Sequence, residues 1–291
     1  MGAARGQAVA SNWTSPLPVL MLTMRPPAQR EKLLTNARSA GIDALRFIEA
    51  VDGARPHDDD GCVSSLDFSA VQCSAWRRLA VKRTAQTCSH IRVAEEIVRL
   101  GTPALALEDD IVFRPTVVDF QGLFPRLLEH LRGKQGGWDL VHLGPCLEQI
   151  NRIRTCEFIG TPPKPLWLSP SFQPACTHAM LITPSAAAKL RVMWSRFRLG
   201  YHVRVTQQLP QAPADCEQGV NRWQKNATLK LAMRSLNGGD DQVMRSSISK
   251  GAFASFNVWP MLVEQADHLH DPMFSLAHRK PAACRPSRQG A

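Results

Sequence analysis

The sequence predicts an α/β protein with a mostly parallel central sheet flanked by helices. Three observations predict it. Short apolar runs alternate with longer segments of helical period, the pattern of strand–helix–strand units. Glycine and proline punctuate the joins, as at Gly41, Gly101, Gly144-Pro145 and Pro184. One apolar run, Ala104-Leu-Ala-Leu-Glu-Asp-Asp-Ile-Val-Phe113, carries three consecutive carboxylates late in its length. In parallel sheets ligands sit beyond the carboxyl ends of strands, where those acids fall.

The elements follow in order. Residues 19–24 are apolar and end at Arg25-Pro26-Pro27, which reads as a first strand. A proline there opens a helix over 30–40, and Gly41 stops it. Residues 45–51 read as a second strand closed by Asp52-Gly53, and 57–61 as an acidic loop. Ile91, Ala94, Ile97 and Val98 have helical spacing and place a helix over 84–100, ended by Gly101. The acidic-tipped strand begins at Ala104. A helix over 117–132 and a strand over 138–143 come next, with Trp138 as a core residue. The proline-rich stretch 160–174 reads as a long loop, 178–183 as a strand, and 184–194 as an alanine-rich helix with proline at its first position. Asp240-Asp241 after Gly238-Gly239 cap a helix over 242–249, and 253–259 is a late strand. Three regions result: a flexible N-terminus over 1–18, one domain over 19–270, and a basic, disordered tail over 271–291.

The chain has 291 residues, 44% hydrophobic and 21% charged, which is globular rather than disordered or membrane-spanning composition. Residues 1–18 lack the long apolar core of a signal peptide. A cytoplasmic or peripheral-membrane location is therefore the default, with a secretory lumen following if the N-terminus is incomplete. Two glycosylation sequons, at Asn12 and Asn226, matter only in that second case. The net charge of +10 favours anionic partners and is compatible with peripheral association with an anionic membrane. No helix-turn-helix, zinc finger or aromatic-basic platform accompanies it, so specific nucleic-acid binding is not expected. None of the eight cysteines forms a Cys-x-x-Cys pair, which argues against structural zinc, and reduced thiols are the expectation.

Acids are rarely buried without a partner, so three at a strand end point to a positive ligand. If the strand continues through them, Glu108 and Asp110 share one face and Asp109 takes the other. Two carboxylates would then serve one divalent metal, and the third would bond backbone or ligand. The plainer alternative is an acidic turn after a buried strand.

In this order the blocks resemble glycosyltransferase family 25, which includes lipopolysaccharide glycosyltransferases and collagen galactosyltransferases. The resemblance rests on Val19-Leu-Met-Leu-Thr-Met-Arg-Pro26, Phe47-Ile-Glu-Ala-Val-Asp-Gly53, Cys88-Ser89-His90 and Leu107-Glu-Asp-Asp-Ile-Val-Phe113. It continues through Trp138-Asp-Leu-Val-His-Leu-Gly144, His178-Ala-Met-Leu-Ile-Thr-Pro184 and Val258-Trp-Pro-Met-Leu-Val-Glu-Gln265. Thr23-Met24-Arg25 replaces the family's Asn-Leu-Asp, and residues 82–87 replace a Gly-Glu-x-Gly-Cys run.

The resemblance implies a GT-A, Rossmann-like nucleotide-sugar-binding fold. It implies inverting transfer of a hexosyl unit, galactose or glucose, from a donor such as UDP-hexose to a glycan or glycoprotein acceptor. Mn²⁺ or Mg²⁺ suits the oxygen ligands Asp110 and Glu108, with Asp109 on the ribose or sugar. His268 and His270 either complete the metal shell or are exposed loop histidines. The base that takes the acceptor proton is Asp241, Asp240 or Glu264, unless the aspartates only cap their helix. His90, taken as lying at a helix start, either binds the diphosphate or packs. Arg25 and Arg30 bind the diphosphate or are solvated. A catalytically inactive relative that binds a sugar, nucleotide or protein partner is the alternative.

Overall fold

A computed structural model describes residues 17–55, 61–113, 120–135, 137–144, 152–159, 166–172, 174, 177–208, 240–259, 261–265 and 281–284. Strand β1 (Val19–Thr23) is buried along its whole length, because both its faces are covered. Val19 and Met21 enter one core cluster, Leu20 and Leu22 the other. Helix α1 (Pro27–Ser39) follows, with proline at its first position. Gly41 ends it at φ 80°, a left-handed conformation that costs glycine nothing.

Strand β2 (Leu45–Glu49) pairs parallel to β1. Helix α2 (Ser74–Leu100) is 27 residues long and begins ten residues before the periodicity of 84–100 suggested. Its first turns bury Trp76 and Ala80 against Tyr201 and Val205 rather than against the sheet. Strand β3 (Ala104–Glu108) pairs parallel to β1 on its other side.

Short strand β4 (Ile111–Phe113) and helix α3 (Phe120–Gly133) precede β5 (Leu140–His142), β6 (Glu157–Phe158) and β7 (Trp167–Pro170). Strand β7 lies inside the proline-rich stretch expected to be loop. Then come β8 (Ala179–Ile182), α4 (Pro184–Gln208), α5 (Asp240–Ser249), β9 (Ser255–Trp259) and β10 (Val263–Gln265). Helix α4 runs fourteen residues past the expected end at Trp194 (208 − 194).

The main sheet has eight strands in the order β2-β1-β3-β8-β5-β9-β7-β6 among the described residues. Pairs β2/β1, β1/β3 and β5/β9 are parallel. Strand β8 runs antiparallel to both β3 and β5, and β7 antiparallel to β9 and β6. Strands β10 and β4 form a separate antiparallel pair. The class is α/β, Rossmann-like, with a mixed central sheet flanked by helices. One face packs on α1 and α3 through Leu33, Ala37, Leu127 and Leu131. The other packs on α2, α4 and α5 through Ile97, Leu190, Trp194, Met244 and Ile248. Among the described residues no helix is long and apolar enough to cross a membrane.

The thiols are not reduced. Cys62 is bonded to Cys88 and Cys156 to Cys284, and no described cysteine is free. Cys73 is also disulfide-bonded. Spacing could not reveal this, because the partners lie 26 and 128 residues apart and meet only through the fold. Within the stretch expected as a disordered tail, Ala282–Cys284 forms a 3-10 turn, and Cys284 is fully buried beside Trp167 and Trp259. The N-terminal region before residue 17 lies outside the described residues, as do most of the acidic loop and the rest of the tail.

Candidate active site

A cavity of about 660 Å³ opens at the carboxyl ends of β1, β2 and β3, with α2 as one wall. Glu108, Asp109 and Asp110 all line it. They do not lie on one continuous strand: β3 ends at Glu108, and Asp109-Asp110 form a turn into β4. The strand alternation expected to pair Glu108 with Asp110 therefore stops before Asp110 is reached. It does persist for the first two acids. Glu108 continues the row of Ala104 and Ala106 towards α2, while Asp109 reaches across to β1.

Each acid has its own partners. Glu108 Oε1 accepts a 2.8 Å hydrogen bond from the Thr177 hydroxyl and lies 3.5 Å from His90 Nε2. Thr177 Oγ1 is itself 3.3 Å from that nitrogen, so the three side chains meet at one point. Asp109 Oδ2 accepts from the Thr23 hydroxyl at 2.5 Å and from Arg25 Nε at 3.2 Å. Thr23 Oγ1 in turn accepts from the Arg25 backbone N–H. The pair Thr23-Arg25 thus fixes Asp109 through the turn after β1.

His90 is 4% exposed and tilts against Trp194, their ring centroids 5.4 Å apart. It sits in the middle of α2, so no helix N-terminus assists it, contrary to the expected helix start. Ser89 is not a cap either. Its hydroxyl donates to the Ala85 carbonyl and accepts from the Val51 N–H, each at 2.8 Å, tying the loop after β2 to the helix. Gly53 allows that approach, since a Cβ there would lie 3.1 Å from Lys82 Cα. Asp52 accepts from the Ala54 N–H and from Arg55, and these bonds hold its carboxyl below the usual range.

The remaining predicted residues are distributed around this centre. Arg30 bonds the Arg25 carbonyl and Glu49, not the cavity. Asp240 and Asp241 form the first turn of α5 instead of preceding it. Glu264 lies in β10 opposite Val112. The side chains of those three acids, and His268 and His270 altogether, lie outside the described residues. Among the described residues no three His, Cys, Asp or Glu side chains group closely enough to hold a metal by themselves.

Sequence reasoning missed Thr177, Arg78 and Lys82. A lone threonine before a strand carries no motif. The two cations lie in the part of α2 whose helical period is aimed at α4, away from the sheet.

No protein-family model matches the chain. It is 27% identical over 141 residues to human "Inactive glycosyltransferase 25 family member 3". The match covers 47% of this chain and 23% of that relative, so the chain spans less than a quarter of the relative's length. This likeness supports, at the coarsest level, a glycosyltransferase-like protein.

Proposed function

We propose that this chain is a metal-dependent inverting glycosyltransferase. It moves a hexosyl unit, galactose or glucose, from a nucleotide sugar such as UDP-hexose to a hydroxyl of a glycan or protein acceptor. The observation that carries the reading is the placement of Glu108, Asp109 and Asp110 together on a cavity at the carboxyl ends of parallel strands. The partial likeness to a glycosyltransferase 25 family member supports it. A GT-A fold is the form of the Rossmann-like architecture that this reading requires.

The donor set suits Mn²⁺ or Mg²⁺. Such ions are held by one or two carboxylates plus substrate phosphates rather than by an all-protein cage. Among the described residues no cluster of three His, Cys, Asp or Glu forms such a cage, which is compatible with that pattern. Asp110 and Glu108 would hold the ion, which supplies neutralisation of charge growing on the departing diphosphate. Thr177 orients the Glu108 carboxylate by donating to Oε1. Asp109, oriented by Thr23 and Arg25, would accept from a ribose or sugar hydroxyl in this reading. The acceptor proton goes to a carboxylate, for which Asp241, Asp240 and Glu264 are the candidates.

The test is nucleoside diphosphate release from a panel of nucleotide sugars, with Mn²⁺ and then with chelator. Chelator-sensitive release from one donor is expected, and Asp110→Ala should lower it roughly a hundredfold or more while thermal unfolding stays unchanged. Full activity in that variant would remove Asp110 from the metal site. A second reading, a sugar- or nucleotide-binding module without turnover, is favoured by the word "inactive" in the relative's name. It predicts a donor-dependent rise in melting temperature with no release from any donor.

A further inference from the structure

We infer that His90 is a positioning residue for the metal carboxylate Glu108, acting through the Thr177 hydroxyl, and not a ligand of the donor diphosphate. The inference rests on the reading of Glu108 as a metal ligand and goes beyond it. It gives the middle of α2 and the segment entering β8 the task of aiming that carboxylate.

Three successive residues of α2 each tie the helix to a different segment. Cys88 is bridged to Cys62, Ser89 accepts from the Val51 N–H, and His90 meets Thr177 and Glu108. The imidazole is buried, with the Trp194 indole of α4 tilted against it. Packing of that kind leaves the ring few orientations. Glu108 is held twice by the residues that lead into β8. Its N–H donates to the His178 carbonyl at 2.9 Å, and its Oε1 accepts from Thr177 at 2.8 Å.

The direction of these bonds follows from the hydrogens available. A metal-binding carboxylate only accepts, so the single hydrogen of the Thr177 hydroxyl goes to Glu108. Towards His90 Nε2, 3.3 Å away, that oxygen can then only accept. The ring hydrogen therefore sits on Nε2. The chain runs from His90 Nε2–H to Thr177 Oγ1–H to Glu108 Oε1. Nε2 is also 3.5 Å from Oε1, too long for a strong direct bond, so His90 acts mainly through Thr177. With its hydrogen committed to this chain, Nε2 has none for a phosphate oxygen. Outer partners of this kind orient metal ligands, and losing one typically weakens metal binding by about tenfold or more.

The experiment is Mn²⁺ titration of the full chain, alone and with UDP, read by the electron paramagnetic resonance signal of free Mn²⁺. Wild type is compared with His90→Leu, His90→Gln, His90→Asn, Thr177→Val, the double variant His90→Leu/Thr177→Val, and Asp110→Ala. Glutamine can set an amide N–H where Nε2 stands, and asparagine is too short to do so. His90→Leu and His90→Asn should each weaken Mn²⁺ binding about tenfold, and His90→Gln should bind as wild type does. A merely structural role would instead rank the variants by melting temperature. After Thr177→Val, His90→Leu should add little, because both act on one oxygen through one hydroxyl. Binding of UDP in chelator should be unchanged by His90→Leu. Should His90→Leu fail to fold, the contrast between His90→Gln and His90→Asn decides alone.

The two readings fail separately. Equal Mn²⁺ affinity in wild type, His90→Leu and His90→Asn overturns the inference and leaves the metal reading standing. Weaker UDP binding in chelator with unchanged Mn²⁺ binding overturns it too, and returns His90 to the diphosphate. No Mn²⁺ bound by wild type, with or without UDP, or binding indifferent to Asp110→Ala, removes the metal reading and this inference with it.

Discussion

In the β2-β1-β3 half of the sheet the strands run parallel, and their carboxyl ends open on one cavity. In the β9-β7-β6 half neighbouring strands run in opposite directions. The buried polar groups differ accordingly. At the parallel end Thr23, Glu108, Asp109, Thr177 and His90 hold one another around open space. In the antiparallel half the indole of Trp259 donates to the Ser169 hydroxyl at 2.9 Å, and both residues are fully packed. Trp167, Trp259 and the Cys156–Cys284 bridge then close that part of the molecule. Parallel strands send all their following loops to one end, so those loops share a mouth. Antiparallel strands divide their ends, and the side chains between them become core.

Three substitutions probe this contrast, at the junction and then in each half. Gly144 follows β5, beside β8, where a Cβ would lie 2.1 Å from the Val263 carbonyl oxygen and 2.6 Å from His178 Nε2. The first contact is backbone and cannot swing away. Gly144→Ala should destabilise the fold by about 3 kcal/mol or more, read by urea unfolding. A loss under about 1 kcal/mol would mean that β10 is free to shift, and that the junction is softer than the packing suggests.

Thr177→Val removes the donor to Glu108 within the parallel half. The carboxylate keeps solvent access, so the stability cost should be modest, about 1–2 kcal/mol. Donor turnover should fall further than stability does. Equal, small losses in both would make Thr177 a packing residue only.

The smallest effect belongs to the far edge of the other half. Burial pushes the Glu157 carboxyl up, but the hydrogen bond from Lys134 and the charges of Lys134 and His130 outweigh it and hold it below the usual range. A depressed carboxyl stabilises above its unfolded value and loses that contribution as pH falls through the folded one. Glu157→Gln should therefore cost less than about 1 kcal/mol near neutrality, because the side chain is 46% exposed. The gap to wild type should close on acidification. A gap that widens in acid would reverse the sign of the shift.

Much of the site-bearing half was legible in the residues. Runs 19–24 and 104–108 have no polar residue before their ends except Thr23, and the flanking Pro27, Gly41 and Gly101 mark where helices start and stop. The acids at the end of β3 were visible for the same reason, as charges where apolar sequence stops. Other features depended on tertiary packing. The first ten residues of α2 carry cations on one side and bury Trp76 against α4 on the other, so no sheet-facing stripe announces them. Strand β7 begins just after three prolines and ends on a fourth, and it is fixed by β9 on one side and β6 on the other. The disulfides and the Thr177–Glu108 bond join residues far apart in the chain, and no local spacing encodes them.

The length of α2 sets a scale for the cavity. Arg78, Lys82, Gln86 and His90 lie at successive steps of four on one unbroken helix, and all four line the space. At 1.5 Å per residue the first and last are about 18 Å apart along the axis. A ligand touching both must span that distance less the reach of the two side chains, and a short one must choose an end. The rod also fixes phase. One residue inserted between Lys82 and Gln86 would rotate everything before it by about 100°. That would swing the cations off the wall while His90 stayed at Glu108, so length and rotation are selected together by a single element.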